Sequence, residues 1–113
     1  MFSFRPSFRP SAWAVALTLL AAAAGCKVDA QKCDQACRNA ASLLYWKTAD
    51  REIAAAPADQ RDALRKQKLG ELARKVEEGI DGCVLRCQSA RNEDDANCLI
   101  AAQTAEQVQA CSQ

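Results

Sequence analysis

The chain has 113 residues, enough for one small domain. Its 15 basic and 14 acidic side chains leave a formal charge of +1, and so balanced a charge does not favour a nucleic-acid partner. The sequence has no histidine, which excludes Ser-His-Asp and Cys-His catalysis and imidazole metal ligands. We therefore expect a non-enzymatic protein without cofactor, metal or small-molecule substrate.

The first 25 residues have the pattern of an export signal. Arg5 and Arg9 give a positive start, and an uncharged apolar run occupies residues 11–24. A membrane-spanning helix needs about 20 apolar residues, which is more than this run supplies. A secretory signal peptide, removed on export, is the better interpretation.

The residues after the apolar run, Ala24-Gly25-Cys26, resemble the lipobox of bacterial lipoprotein precursors. They depart from the family pattern at Ala23, where leucine is commonest. The resemblance implies that Cys26 carries acyl chains such as palmitate and becomes the N-terminus of the mature protein. The residue after Cys26 is Lys27 and not an aspartate. In the lipoproteins of enterobacteria an aspartate at this place tends to hold the protein in the inner membrane, so Lys27 favours the outer membrane, with the domain facing the periplasm or the cell surface.

Cysteine parity supports lipidation at Cys26. One lipidated cysteine out of seven leaves six, an even number that suits an oxidising compartment. The alternative is an ordinary signal peptide cut near Ala24, which would leave Cys26 as an unpaired or intermolecularly bonded thiol. We expect a lipoprotein signal peptide over 1–25, a lipidated N-terminus and short tether over 26–31, and a cysteine-stapled helical domain over 32–113.

The mature chain predicts an all-α fold, because helix-favouring residues dominate it and strand-like alternation is almost absent. The first helix should run from Gln31 to about Ala55 and end before Pro57. The second long helix shows an apolar seam with alternating four- and three-residue spacing, formed by Leu69, Ala73, Val76, Ile80, Cys83 and Cys87. Charged residues at its start predict a solvated arm tip, namely Arg61, Asp62, Arg65, Lys66 and Lys68.

Two CxxxC pairs predict how these helices are joined. Cys33 and Cys37 lie one turn apart on one face of the first helix, and Cys83 and Cys87 do so on the second. In an antiparallel pair the numbers of facing residues add up to a constant. The pairs 33/87 and 37/83 both add up to 120, so we predict these two disulfides and a hairpin turn near residue 60.

The same register sets Ala40 against Ile80 and Leu44 against Val76, apolar against apolar. One difficulty remains open. If Asp59 begins the second helix, that helix is about one turn longer than the first. Either its start is bent or frayed, or the register slips by a turn.

The twin CxxxC hairpin resembles small chaperones of the mitochondrial intermembrane space and plant α-hairpinin peptides, which tie two antiparallel helices with nested disulfides. The resemblance is confined to the four cysteines, and 45 residues separate the two pairs here, several times the usual spacing. It implies the stapled fold and neither the chaperone nor the inhibitor activity.

Cys98 and Cys111 predict a second, shorter helical hairpin and the third disulfide. Asn92 is the expected N-cap of its first helix. A capping box from Thr104 to Gln107 begins its second helix midway between the two cysteines.

Two other interpretations of the CxxxC cysteines carry less weight. Structural zinc sites usually use closer CxxC turns. Redox-active pairs are CxxC motifs at a helix N-terminus within an α/β fold. We therefore expect structural disulfides and no metal.

Trp46 is the candidate contact for a partner. It points about 200° away from Leu44 around the first helix, so it either packs under Leu99 and Ile100 of the short hairpin or lies on the surface as a binding anchor. The function predicted overall is that of a membrane-anchored structural or adaptor lipoprotein of the cell envelope, with an envelope protein as partner. A soluble secreted disulfide-rich binding or inhibitor module is the alternative.

Overall fold

The computed structural model describes residues 27–112, and within this range the regular structure is helical. The elements in chain order are α1 (Ala30–Ala55), a 3-10 turn (Ala58–Gln60), α2 (Arg61–Ala90), α3 (Glu93–Ala101) and α4 (Ala105–Cys111). The long helices α1 and α2 form an antiparallel hairpin, and α3 and α4 form a short second hairpin that packs mainly on α1. The predicted all-α fold of two disulfide-stapled hairpins is confirmed.

The start and end of α1 follow from local chemistry. The carboxylate of Asp29 accepts a hydrogen bond from the backbone N–H of Lys32 at 3.2 Å and so caps the first turn. At the other end Ala56 is extended, the conformation that a following proline imposes. The Arg61 guanidinium donates to the carbonyls of Ala54 and Ala56 at 3.1 and 3.0 Å, so Arg61 caps the last turn of α1 and is not simply a solvated charge.

The two short helices begin at the predicted caps. The Asn92 side chain accepts from the N–H of Asp95 at 3.2 Å, and the Thr104 hydroxyl accepts from the N–H of Gln107 at 3.1 Å. The Gln107 amide oxygen reaches back to the N–H of Gln103 at 2.6 Å. The cap residues therefore fix both entry points of the second hairpin.

The contact between α1 and α2 repeats every four residues. From Leu64 to Gln88 every fourth residue of α2 is buried or half-buried. On α1 the same spacing joins Cys33 to Cys37 and Tyr45 to Ala49 and Ile53, with the exposed Ala41 between the two groups. A four-residue step overshoots one turn by about 40°, so the contact face moves around each helix.

The rotating face overturns part of the predicted seam. The seam holds from Val76 to Cys87 but is wrong nearer the turn, where Leu69 is 52% exposed and Lys68 and Leu72 take its place. Leu44 is also misplaced by the prediction, since it is 40% exposed. A heptad seam assumes a face that stays fixed along the pair, and here it does not.

The register itself does not slip. Lys68 forms an ion pair with Glu52, and the Lys75 ammonium lies 5.5 Å from the ring centroid of Tyr45. The numbers of each of these pairs again add up to 120, as they do at the disulfides. The extra length of α2 therefore lies at the tip, next to the 3-10 turn.

Candidate functional site: the disulfide-bonded end of the long hairpin

Three disulfides join the helices in the predicted pairs. The Cα–Cα distances are 5.7 Å for Cys33–Cys87, 6.1 Å for Cys37–Cys83 and 5.8 Å for Cys98–Cys111. Because the six sulfur atoms are bonded in three pairs, they offer no thiolates to a metal. Residues 27–112 also contain no cluster of three or more acidic, cysteine or histidine side chains that could hold a metal ion.

The first residues before α1 are part of the core. Val28 is only 5% exposed and packs in one cluster with Cys33, Ala36 and Ala96. Its carbonyl also accepts a hydrogen bond from the Gln88 side chain at 3.4 Å. The chain is therefore fixed from Val28 onwards, and the tether expected up to residue 31 is too long.

The predicted lipidation site, Cys26, and the signal segment 1–25 lie outside the described residues. Lys27 alone separates Cys26 from the buried Val28. Along the sequence Cys26 is therefore two residues, at most about 7 Å of extended chain, from the buried Val28.

The second hairpin is joined to α1 by a side chain that the sequence interpretation missed. The half-buried Asn39 amide donates to the carbonyls of Leu99 at 2.7 Å and Ala102 at 2.9 Å, with a longer contact to Ile100 at 3.4 Å. These carbonyls end α3 and would otherwise lack helical partners. The available signal was one amide three residues after Ala36, on the face of α1 that packs against α3.

Two ion pairs flank this amide on the same side of α1. Lys32 binds Glu93 at 2.5 Å, and Lys47 binds Glu106 at 2.9 Å. The hydrogen bond from Lys47 holds the pKa of the Glu106 carboxyl below its ordinary value. Both pairs are partly solvated, so they orient the second hairpin more than they stabilise it.

Trp46 is half-buried. Its ring contacts that of Tyr45 edge to face, with centroids 5.7 Å apart. The next residue, Lys47, forms the ion pair with Glu106 of α4. Part of the Trp46 surface remains open to a partner, and the contact predicted for it stays a prediction.

A polar cluster joins α1 and α2 in the arm of the long hairpin, which is the part between Tyr45 and the residue that faces it, Lys75. The Tyr45 hydroxyl donates to Glu71 at 3.0 Å, and Lys68 bridges Glu52 and Glu71. The Lys68 side chain is only 15% exposed, so its expected place in a solvated tip is wrong. The hydrogen bond to Glu52 raises the pKa of Lys68, and burial raises the pKa of Tyr45.

An open groove of 530 Å³ lies where α1 begins. It is lined by Ala30, Gln31, Asp34, Asp81, Val84 and Leu85. Leu85 is 65% exposed on its rim, so apolar and acidic groups lie side by side next to the start of α1.

The chain was compared with protein-family models, with curated proteins and with solved structures, and none of them matches it. Over the described residues, no helix combines the length and the apolar character needed to cross a bilayer.

Proposed function

We propose that this chain is the precursor of a bacterial outer-membrane lipoprotein, lipidated on Cys26, whose mature domain is a non-enzymatic structural or adaptor component of the cell envelope. One observation carries the proposal. Each of the six cysteines in residues 27–112 is bonded to another of the six, so Cys26 is the one cysteine of the sequence left over for acylation. The signal-like segment before it supplies the export that such a modification requires.

The burial of Val28 gives this anchor a defined geometry. Acyl chains on Cys26 would hold the disulfide-bonded end of the hairpin against the bilayer, with about 0.8 kcal/mol contributed by each buried methylene. The 26 residues of α1 measure about 39 Å along the helix axis. The turn at Pro57 could then project up to this distance from the lipid surface.

The adaptor role rests on the surfaces left open around this anchor. The groove at Leu85 and the exposed part of Trp46 are places where an envelope protein could bind. The soluble binding module would use the same surfaces without a lipid, so the two functions differ first in where the protein is found.

Replacing Cys26→Ser tests the anchor. The unchanged chain should incorporate a labelled fatty acid and fractionate with the outer membrane, whereas the variant should lose the label and the membrane association. The double variant Cys98→Ser/Cys111→Ser is the matched control, because it removes two other cysteines and should still be labelled. Soluble release of the unlabelled wild-type protein would refute the lipoprotein and favour the secreted module.

Affinity capture from intact envelopes tests the adaptor role separately. A partner cross-linked to the wild-type protein should be recovered less well with Trp46→Ala. Leu69→Ala, which changes an exposed apolar residue on the arm, should recover it unchanged. If no partner is enriched over the Cys26→Ser protein, the adaptor role is wrong even when lipidation is established.

A further inference from the structure

The three disulfides differ in how far solvent can reach them. In the long hairpin Cys33 is fully buried and Cys37 is 5% exposed, while their partners Cys87 and Cys83 are half-buried. In the short hairpin Cys98 is exposed and Cys111 is half-buried. Thiol–disulfide exchange needs an incoming thiolate to reach a sulfur atom, so access favours the bond between Cys98 and Cys111.

The surroundings of the exposed bond leave room for an attacking thiol. A groove of 310 Å³ runs beside it, lined by both cysteines together with Ala101, Ala102, Gln107 and Ala110. Three of these neighbours are alanines, whose side chains are too short to cover the sulfurs, and the Gln107 amide oxygen is bound to the N–H of Gln103. The bonds of the long hairpin lie between two helices of 26 and 30 residues, which must separate before a thiol can approach from the α1 side.

Contacts other than the exposed bond also hold α3 in place. α3 is held on α1 by the buried Ala96, by the Asn39 amide and by the Lys32–Glu93 ion pair. α4 has seven residues, too few to be stable as an isolated helix. Besides the disulfide, the buried Ala105 and Val108 and one surface ion pair attach it.

We propose that Cys98–Cys111 is a site of thiol–disulfide exchange with a dithiol, and that it opens and releases α4 while the two bonds of the long hairpin stay closed. One thiolate of the dithiol attacks Sγ of the more exposed Cys98. The Cys98–Cys111 bond breaks, and the electron pair leaves with Sγ of Cys111, which takes up a proton. The second thiolate then attacks the mixed disulfide, Cys98 leaves as a thiol, and the dithiol becomes a disulfide after giving up two electrons. This proposal does not depend on the lipid anchor.

The order of reduction tests the site. The oxidised, exported protein is treated with dithiothreitol without denaturant, quenched with acid at successive times, alkylated and mapped by mass spectrometry. Cys98 and Cys111 should be alkylated at least about tenfold faster than the other four cysteines. Simultaneous reduction of all three bonds, or earlier reduction of Cys33–Cys87 or Cys37–Cys83, would overturn the proposal.

Proteolysis tests the release of α4. A protease that cuts after glutamate should cleave the peptide bond after Glu106 in the partly reduced protein. In the oxidised protein it should leave that peptide bond intact. Cys98→Ser/Cys111→Ser should be cut at Glu106 without any reductant while the other two disulfides persist. If that variant does not fold, the alkylation order of the wild-type protein still decides, and an uncut Glu106 in the partly reduced wild type would refute the release.

Discussion

Asn39 is the residue on which the arrangement of the two hairpins depends most directly. Its amide satisfies carbonyls at the end of α3 that no backbone donor reaches. Asparagine supplies two N–H donors for this purpose, and aspartate supplies none when it is ionised. The identity of this one side chain is therefore more important than its size.

We expect Asn39→Asp to lower the free energy of unfolding by about 2 kcal/mol, because a carboxylate would face the same carbonyls without a donor. Denaturant unfolding followed by circular dichroism measures the change. Asn97→Asp, at an exposed position of α3, is the matched control and should differ little from wild type. Equal effects of the two variants would show that the Asn39 hydrogen bonds contribute nothing.

Glu71 makes the arm sensitive to acid. The hydrogen bond from Tyr45 holds the pKa of the Glu71 carboxyl below its ordinary value, and Gln67 and Lys68 act in the same direction. A carboxyl with a lowered folded-state pKa stabilises the fold above its unfolded pKa of about 4.3. That contribution disappears as the pH falls through the lower folded-state value.

Glu71→Gln should therefore reduce the melting temperature at pH 7 and also reduce its fall between pH 5 and pH 3. Thermal scans at several pH values measure both effects. Glu78→Gln changes an exposed carboxyl of the same helix and should alter neither. An acid dependence that is identical in wild type and Glu71→Gln would contradict the role given to this side chain.

At the scale of the helices, the sequence was sufficient where covalent or capping chemistry dictates position. The constant sum of facing residue numbers predicted the antiparallel register and the disulfides Cys33–Cys87 and Cys37–Cys83. This was possible because disulfides tolerate only a narrow range of Cα distances. The caps at Asn92 and Thr104 could be predicted because a side-chain oxygen just before a helix accepts a hydrogen bond from a free N–H of the first turn.

The sequence was insufficient where packing decides. Each four-residue step between α1 and α2 overshoots one turn by about 40°, whereas a heptad seam stays on nearly the same face. The difference accumulates along the arm until Leu69 faces solvent. The burial of Val28 depends on Ala96, which lies 68 residues further along the chain. Neither the exposure of Leu69 nor the burial of Val28 can be recognised from the residues next to it in the sequence.

Two truncations should separate the observed contact face from the expected one. Ile53→Ala, at a position only 3% exposed, should lower the free energy of unfolding by about 3 kcal/mol. Leu69→Ala should change it by no more than about 0.5 kcal/mol, as at other exposed sites. Chemical denaturation of both variants gives the comparison. A larger loss of unfolding free energy in Leu69→Ala than in Ile53→Ala would support the heptad seam instead.

Across the whole molecule, the stabilising contacts are unevenly distributed. Two disulfides, the Val28 cluster and the second hairpin all lie at the end of the long hairpin where α1 begins. The arm beyond Tyr45 depends on Ala49, Ile53 and the polar cluster around Lys68. Local opening should therefore start at the turn.

Hydrogen exchange followed by mass spectrometry should show this gradient. Backbone amides of residues 50–68 should exchange faster than those flanking Cys33 and Cys87, because a disulfide limits separation of the helices near it. Reducing all three disulfides should bring the exchange rates of the two ends closer together. Uniform protection along the hairpin of the oxidised protein would contradict the gradient.

The disulfide connectivity also determines how tension would pass through the molecule. A pull between Val28 and the region after Cys111 would run along the backbone to Cys33, cross its sulfur bridge to Cys87, continue to Cys98 and cross again. The Cys37–Cys83 bond gives a second covalent path beside Cys33–Cys87. Residues 38–82 and 99–110 lie outside these paths and would bear little load while the disulfides last. Under traction the molecule would behave as a short, almost inextensible link, with the long arm hanging from it unstrained.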